Sequence, residues 1–378
     1  MQRLASSPRP DWEKTVERQG LIYHHTNAQP YWNEAACYQF TSREVDEVEA
    51  ATNELQRLCL EAGQHIIDHR RFHEFGIPDA VVGAIEWAWN AEPPAIYGRL
   101  DLAYDGTQPP KLLEYNADTP TSLLESSVVQ WYWLQDLHPS DDQFNSIHER
   151  LVAKWKELKD YCASPLYFSA AEDRQAEDLM TTTYLRDTAT EAGHDTVSIL
   201  MKDIGWDASV RAFVDLEGRP IKSIFKLYPW EWLVHEAFGP CLIETCRDVQ
   251  WIEPIWKMMW SNKALLAVLW ELYPNHPNLL PAYLDGPHGL ARYVKKPRLS
   301  REGANITYVG DTRIETPGDY GEEGFVYQAL APVPVFDGNY AVVGSWLVDG
   351  EASGMGIRES DGPITNNLSR FVPHLFTK

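Results

Sequence analysis

Apolar and polar residues alternate one by one twice in quick succession along this chain. Leu100, Leu102 and Tyr104 alternate with Arg99, Asp101 and Ala103, and Lys111, Leu113 and Tyr115 alternate with Leu112, Glu114 and Asn116. Between the two runs lies Asp-Gly-Thr-Gln-Pro-Pro, a turn composition. Period two on both sides of a turn predicts a β-hairpin. If Tyr104 pairs with Lys111, Asp101 lies opposite Glu114 and Arg99 opposite Asn116, because antiparallel partners move by equal steps. Three oxygen donors and one guanidinium then share a patch. Two readings stay open: a salt-bridged sheet surface, or a seat for a hard cation such as Mg²⁺, which leaves much of its shell to substrate phosphate.

Elsewhere the pattern turns helical. Residues 41–75 open on Thr41-Ser42-Arg43-Glu44 and predict a long amphipathic helix with a capping box. Ala91-Glu92-Pro93-Pro94 interrupts the pattern just before the hairpin. After it, Thr119, Pro120, Thr121 and the Ser122/Glu125 spacing predict a capped helix over 123–137, with Pro120 near its first position. Its N-terminus offers free N–H groups to an anion or carboxylate. Helix is expected over 142–161, a buried strand over 165–168, an acidic helix over 172–192 and a strand over 197–201, an α/β layer. A second meander is expected over 211–228, across Glu217-Gly218.

In the last third, Ser261-Asn262-Lys263-Ala264 opens a short apolar helix, and 293–297 reads as a strand entering the loop 298–306. A strand lysine followed by a small-residue loop suits a phosphate, although basic strand ends and glycine turns are common. Residues 324–330 alternate as a strand, and 335–348 form a hairpin across Asp337-Gly338. Gly354-Met-Gly-Ile-Arg358-Glu359 follows, its arginine either a surface charge or a phosphoryl clamp.

Length and charge narrow the function. A chain of 378 residues predicts two or three packed subdomains. A formal charge of -22 argues against nucleic acid or an anionic membrane surface as partner, and fits an amine-bearing substrate or plain solubility. The five cysteines lack zinc-site spacing and read as buried free thiols in a reducing compartment. Most of the fifteen tryptophans are expected to fill cores rather than form platforms for sugars or ammonium groups. The first residues have no signal-peptide core and the apolar run 264–270 is too short to span a bilayer, so a cytoplasmic location is expected.

Taken in order, these segments resemble the glutathionylspermidine synthase family, in particular its ATP-grasp ligase domain and the shorter stand-alone acid–amine ligases related to it. The resemblance runs from about Tyr97 to Phe376. Arg99-Leu100-Asp101 is similar to the family's Arg-Phe-Asp, and Glu114-Tyr115-Asn116-Ala117-Asp118 matches its Glu-Tyr-Asn-Ala-Asp. Gly205-Trp206-Asp207-Ala208, Lys226, Trp230-Glu231, Asn262-Lys263-Ala264 and Lys296-Pro297 follow. The resemblance implies an α+β, ATP-grasp-type ligase fold with mixed and antiparallel sheets and packed helices. It implies an N-terminal arm over 1–20 and a ligase unit over 21–378, comprising a metal-binding hairpin at 96–116, an α/β substrate region at 117–230 and an ATP-binding lobe over about 255–378.

It also implies site roles. Asp101, Glu114 and Asn116 would hold Mg²⁺; Arg99, Lys263, Lys296, Glu302, Gly303, Gln328, Ala329 and Leu330 would bind ATP. Gly303, Asn305 and Ile306 match the phosphate-covering loop, and Gln328 sits where a strand glutamine meets adenine. Arg358, with Arg99, would stabilise the transferring phosphoryl group, and Thr119, Thr121 and Glu177 would meet substrate. The implied reaction is amide formation from a small carboxylate and an amine through an acyl phosphate, at the expense of ATP.

Three departures bear on substrate. Nothing before Tyr97 resembles the amidase domain of the bifunctional members, so no amidase activity is expected. A family Glu-Glu pair aligns with Ala176-Glu177, and a threonine becomes Trp232, which argues against glutathione and weakens the case for a polyamine. Two rivals remain at this stage: a nucleotide-binding regulator without catalysis, and a carbohydrate-active hydrolase with paired carboxylates and tryptophan platforms, which needs no ATP.

Overall fold

The hairpin forms, and its second strand is the edge of a six-stranded antiparallel sheet. A computed structural model describes residues 1–26, 29–172 and 176–377. The strands Arg370–Val372, Glu351–Ser360, Asn339–Val348, Tyr97–Ala103 and Lys111–Asn116 lie side by side, with Val335–Phe336 also pairing onto Asn339–Val348. The expected anchor of the register is corrected by one residue: Lys111 pairs with Ala103, not Tyr104. A bulge absorbs the slip between Asp101 and Leu102, so Asp101 still faces Glu114 and Arg99 still faces Asn116. The same bulge breaks the alternation. Leu112 and Tyr115 both enter the core, while Leu113 lines a cleft.

The helix Ser42–Asp68 covers this sheet, with its apolar face repeating at three- and four-residue steps through Val45, Val48, Thr52, Leu55, Cys59, Ala62 and Ile66. Thr41 caps it as expected: its hydroxyl accepts from Glu44 N, and Glu44 Oε2 accepts from Thr41 N at 2.8 Å. It stops seven residues short of the expected end, and a 3₁₀ turn takes over at Arg71–Phe75.

A parallel sheet of Gln250–Ile252, Ser223–Leu227, Leu166–Ala170 and Thr196–Leu200 forms the expected α/β layer with the helix Glu177–Glu191. The front of that expected helix is corrected: Ala176 precedes it with a left-handed backbone, and positions 173–175 lie outside the described residues. The expected second meander forms only around its turn, where Val214 bridges antiparallel to Pro220 across Glu217-Gly218. Ala212–Val214 pairs with Gly205–Asp207, whereas Ser223–Leu227 leaves to join the parallel sheet. The helix expected over 142–161 begins at Ile147, because Asp142 and Asn145 instead bridge to Phe376 and Gly354. Tyr293–Pro297 and Phe325–Ala329 form as expected and lie in a third, five-stranded sheet with Ala282–Tyr283, Thr307–Val309 and Arg313–Glu315.

Trp32, Trp133, Trp155, Trp230 and Trp346 are fully buried, so the tryptophans chiefly fill cores. Cys37, Cys59 and Cys162 are buried free thiols, but Cys241 and Cys246 are only half-buried. Among the described residues no helix is long and apolar enough to cross a membrane.

Candidate active site

A cleft of about 620 Å³ opens where the six-stranded sheet, the five-stranded sheet and the approach to the 123–137 helix meet. Asp101 is the most heavily bonded group on the first wall. Its Oδ1 accepts from Arg99 Nε at 2.7 Å, and its Oδ2 accepts from Arg358 Nη2 at 2.8 Å and Asn116 Nδ2 at 3.2 Å. Asn116 Nδ2 also lies 3.4 Å from Glu114 Oε1, so one small group sits between two carboxylates. That convergence fits a hard cation: rotation of the amide would add its oxygen to two carboxylates and leave the remaining positions to water and phosphate. Among the described residues no group of three or more His, Cys, Asp and Glu side chains is placed to hold a metal, so a site here depends on the asparagine.

Arg99 is held from three directions. A Cβ on Gly344 of the neighbouring strand would lie 2.9 Å from its Cδ, so glycine makes room for it. Its Nη1 donates to Thr121 O at 2.6 Å, and its guanidinium lies 5.6 Å from the centre of the Trp346 ring.

The opposite wall carries two lysines. Lys296 Nζ donates to Leu113 O at 2.9 Å and to Gln328 Oε1 at 2.8 Å, and Gln328 Nε2 donates to Leu112 O at 2.9 Å. The Gln328 amide therefore ties the five-stranded sheet to the hairpin edge. Burial pushes the Lys296 ammonium down to about 8, against the attraction of Glu114. Lys263 follows Asn262, whose amide donates to Phe75 O and accepts from Ala264 N, fixing the turn. Lys263 Nζ donates to Ser300 O at 2.9 Å and pairs with Glu114 at 3.2 Å. Burial would raise the Glu114 carboxyl, but Lys263, Lys296 and Arg358 outweigh it and hold it well below the usual range.

The loop after Lys296 folds over the cleft and is pinned by its arginines. Arg298 Nη1 donates to Glu74 O at 2.8 Å; Arg301 donates to Thr119 Oγ1 and Glu231 Oε1, each at 2.9 Å. The Arg301 guanidinium also lies 5.2 Å from the Trp232 ring. Gly303 has φ 69°, and a Cβ there would meet Thr365 O at 2.5 Å, so this turn needs glycine.

At the helix approach the expected capping box is absent. Ser122 has φ 67°, and its hydroxyl lies 3.0 Å from Tyr31 Oη instead of capping the helix. Glu125 Oε1 accepts from Tyr31 Oη at 2.8 Å. Pro120 precedes the helix rather than opening it, since the first helical residue is Leu123. Close by, Glu177 bonds Thr121, and burial raises its carboxyl despite that bond.

Every residue given a site role from the sequence except Asn305 lines this one cleft: the hairpin and Arg358 on one wall, the lysines with Gln328, Ala329 and Leu330 on another, and Glu302 and Gly303 above Thr119, Thr121 and Glu177. The Asn305 amide instead donates to Tyr320 O within the loop region. Tyr31 and Arg301 also line it without having been assigned a role, and Glu125 stands behind Tyr31. Asp118 and Lys226 do not line it. They form a buried ion pair at 2.7 Å that fastens the end of the hairpin to the parallel sheet.

The model of the glutathionylspermidine synthase preATP-grasp family matches residues 3–377. A Haemophilus influenzae protein, provisionally named an acid–amine ligase, is 41% identical over 394 residues and 100% of both chains. The trypanothione synthetase of Crithidia fasciculata is 27% identical, with 84% of this chain and 53% of the relative covered. The bifunctional glutathionylspermidine synthetase/amidase of Escherichia coli is 26% identical, with 90% of this chain and 59% of the relative covered. Thus the chain spans a little over half of these two longer enzymes. Among solved structures, a glutathione synthetase-like effector from Globodera pallida, in its apo form, aligns with a TM-score of 0.57 at 10% identity over 98% of this chain and 100% of the other, a likeness of fold alone. With a match from third residue to second-last and a mixed α+β architecture of ATP-grasp type, this chain belongs to the glutathionylspermidine synthase preATP-grasp family.

Proposed function

We propose that this chain is an ATP-dependent carboxylate–amine ligase that forms an amide through an acyl phosphate. The observation that carries the reading is the meeting of two arginines, two lysines and the Asp101, Glu114 and Asn116 oxygens in one cleft. A catalyst-free binding protein has no need for Arg358 bonded to Asp101 beside Arg99.

In this reading Lys263 and Lys296 hold the phosphates of ATP, and Gln328, Ala329 and Leu330 border the nucleobase. Asp101, Glu114 and Asn116 would hold Mg²⁺, which when bound would offset charge on the phosphate oxygens. Thr119 and Thr121 orient the acid, whose carboxylate oxygen attacks the γ-phosphorus while ADP departs. Arg99 and Arg358 face the charge that develops on the phosphoryl oxygens, where preorganised donors act most strongly. Glu302 and Gly303, in the loop pinned by Arg301, help keep water from the acyl phosphate. Glu177 offers a carboxylate to the incoming amine.

The test is ADP release from purified protein across paired panels of small carboxylates and amines. ADP formation that requires both partners, with stoichiometric amide, supports the ligase. Tight nucleotide binding with no turnover across the panels would favour a regulator.

A further inference from the structure

An amine that attacks an acyl phosphate must first lose a proton, because at neutral pH it is an ammonium ion without a free electron pair. The guanidiniums of Arg99 and Arg358 have no free electron pair with which to take it. Tyr31 and Glu125 sit beside Ser122, next to the Thr121 carbonyl that holds Arg99. Tyr31 is 6% exposed and lines the cleft, as does Ser122, which bonds its hydroxyl; Glu125 is 2% exposed, does not line the cleft and bonds the same hydroxyl from behind. Ser122 holds the other side of the phenol at 3.0 Å with its own backbone in a left-handed conformation. Glu125 lies on the π-helical turn Glu125–Val129, a widened turn of the kind that recurs at functional sites.

We propose that Tyr31 and Glu125 form a proton relay that deprotonates a primary amine substrate at the acyl phosphate. The ammonium proton passes to Tyr31 Oη as the phenol proton passes to Glu125 Oε1. The freed nitrogen pair forms the C–N bond, the C–O bond to phosphate breaks with its electrons leaving on phosphate, and the second nitrogen proton departs with that phosphate. Tyr31 is the catalytic group, and Glu125 acts through it as a positioning residue. This inference rests on the ligase reading.

The surroundings of Glu125 suit the task. Its carboxylate has no ion-pair partner among the described residues. Burial pushes it up to about 7 against a backbone N–H bond, Glu177 adds to the rise, and the Tyr31 bond and the Arg99 charge oppose it. Tyr23, Glu302 and Arg358 are further ionisable groups whose charges act on this corner. A base that titrates near neutrality is well matched to its work.

Wild type, Glu125→Gln and Tyr31→Phe are assayed with MgATP, a panel of amino acids and short peptides as acids, and either hydroxylamine or primary amines from ethylamine to 1,4-diaminobutane. Hydroxylamine is already uncharged at neutral pH and captures an acyl phosphate without a base. Both variants are expected to keep hydroxamate formation within about threefold while amide formation falls about 100-fold. The acidic limb of the wild-type amide profile near pH 7 should be absent in Glu125→Gln. Equal losses with both nucleophiles, or no loss of amide, would overturn the relay and leave a structural hydrogen bond. If the wild type gives neither hydroxamate nor ADP with any acid, the ligase reading itself falls and takes the relay with it. Should Glu125→Gln fail to fold, Tyr31→Phe, which keeps the ring, decides the matter alone.

Discussion

Arg358 Nη2 lies 2.8 Å from Asp101 Oδ2, reaching across the intervening Asn339–Val348 strand. Asp101 thereby orients two guanidiniums, one from its own strand and one from two strands away. Arg358→Ala should lower turnover about 100- to 1,000-fold, in line with loss of one transition-state donor, and change ADP affinity only a few-fold. Arg358→Lys should recover little, because an ammonium lacks the planar fork that meets two oxygens at once. Steady-state ADP release and calorimetry separate these effects, and a variant that binds ADP poorly but turns over normally would contradict the assignment.

Metal dependence follows from the hairpin. Wild-type protein should bind ADP more tightly with Mg²⁺ than without it. Glu114→Gln and Asn116→Ala should each weaken the metal-dependent part tenfold or more, about 1.4 kcal/mol. Circular dichroism should report an unchanged fold. Equal wild-type affinity with and without Mg²⁺ would remove the metal from this site.

The loop after Lys296 is closed by contacts that are individually weak. Arg301 is partly exposed and pairs with Glu231, an interaction worth ~0.2–1 kcal/mol at a surface. Brief openings should therefore expose Arg298 and Arg301 to trypsin, and saturating ATP should slow cleavage at both. Arg301→Ala should quicken cleavage at Arg298 without ATP, and Lys296→Ala should abolish the protection by weakening nucleotide binding. Cleavage that ignores ATP would reduce the segment to an ordinary surface loop.

The hairpin was legible because strand periodicity and turn composition are local, and the facing of Asp101 and Glu114 survived an error in the anchor. The bulge that rescued it was not, since an extra residue at Leu113 leaves no mark in an alternating pattern. Ser122 and Glu125 show the converse failure. Their spacing satisfies the local rule for a capping box, yet Tyr31, ninety-one positions from Ser122 along the chain, claims both side chains. Likewise, Ser223–Leu227 has the composition of a meander strand, and only the waiting parallel edge of Leu166–Ala170 decides its partner. Partnerships set by distant chain segments were the ones that pattern alone missed.

His374 predicts an acid-sensitive fold. It is fully buried, its Nδ1 bonds Gln130 Oε1 at 2.9 Å, and burial pushes its pKa down to about 3. In the unfolded chain it regains the ordinary value of about 6.5. The folded pKa is the lower one, so its contribution is complete above pH 6.5 and is lost as pH falls toward 3. Between pH 6.5 and 5 the loss should be about 1.6 kcal/mol, the slope rising from half of 1.36 kcal/mol per unit at pH 6.5 toward the full value. Urea unfolding at both pH values should show a smaller acid penalty for His374→Asn than for wild type. The difference between the two proteins isolates the histidine from carboxylates that titrate in both. Parallel pH dependences would show that the ring is protonated without strain.

The last prediction concerns substrate choice. Trp232 lines the cleft, and the Arg301 guanidinium covers its ring at 5.2 Å, so the indole and the loop together occupy room beside Thr119. The resemblance to glutathionylspermidine synthases aligns a threonine with this position and a second glutamate with Ala176. An indole removes volume that a tripeptide acid needs, and the missing carboxylate weakens attraction for a polycation. Thr119 and Thr121 keep hydroxyls in the cleft, so a smaller acid still has partners there. Glutathione with spermidine should therefore give negligible ADP release, while another acid–amine pair supports turnover. Trp232→Thr should open the space and release Arg301 from its stacking partner, raising whatever slight activity glutathione has. Efficient formation of glutathionylspermidine by the wild type would show that the indole swings clear of the acceptor and that Ala176 costs the site little.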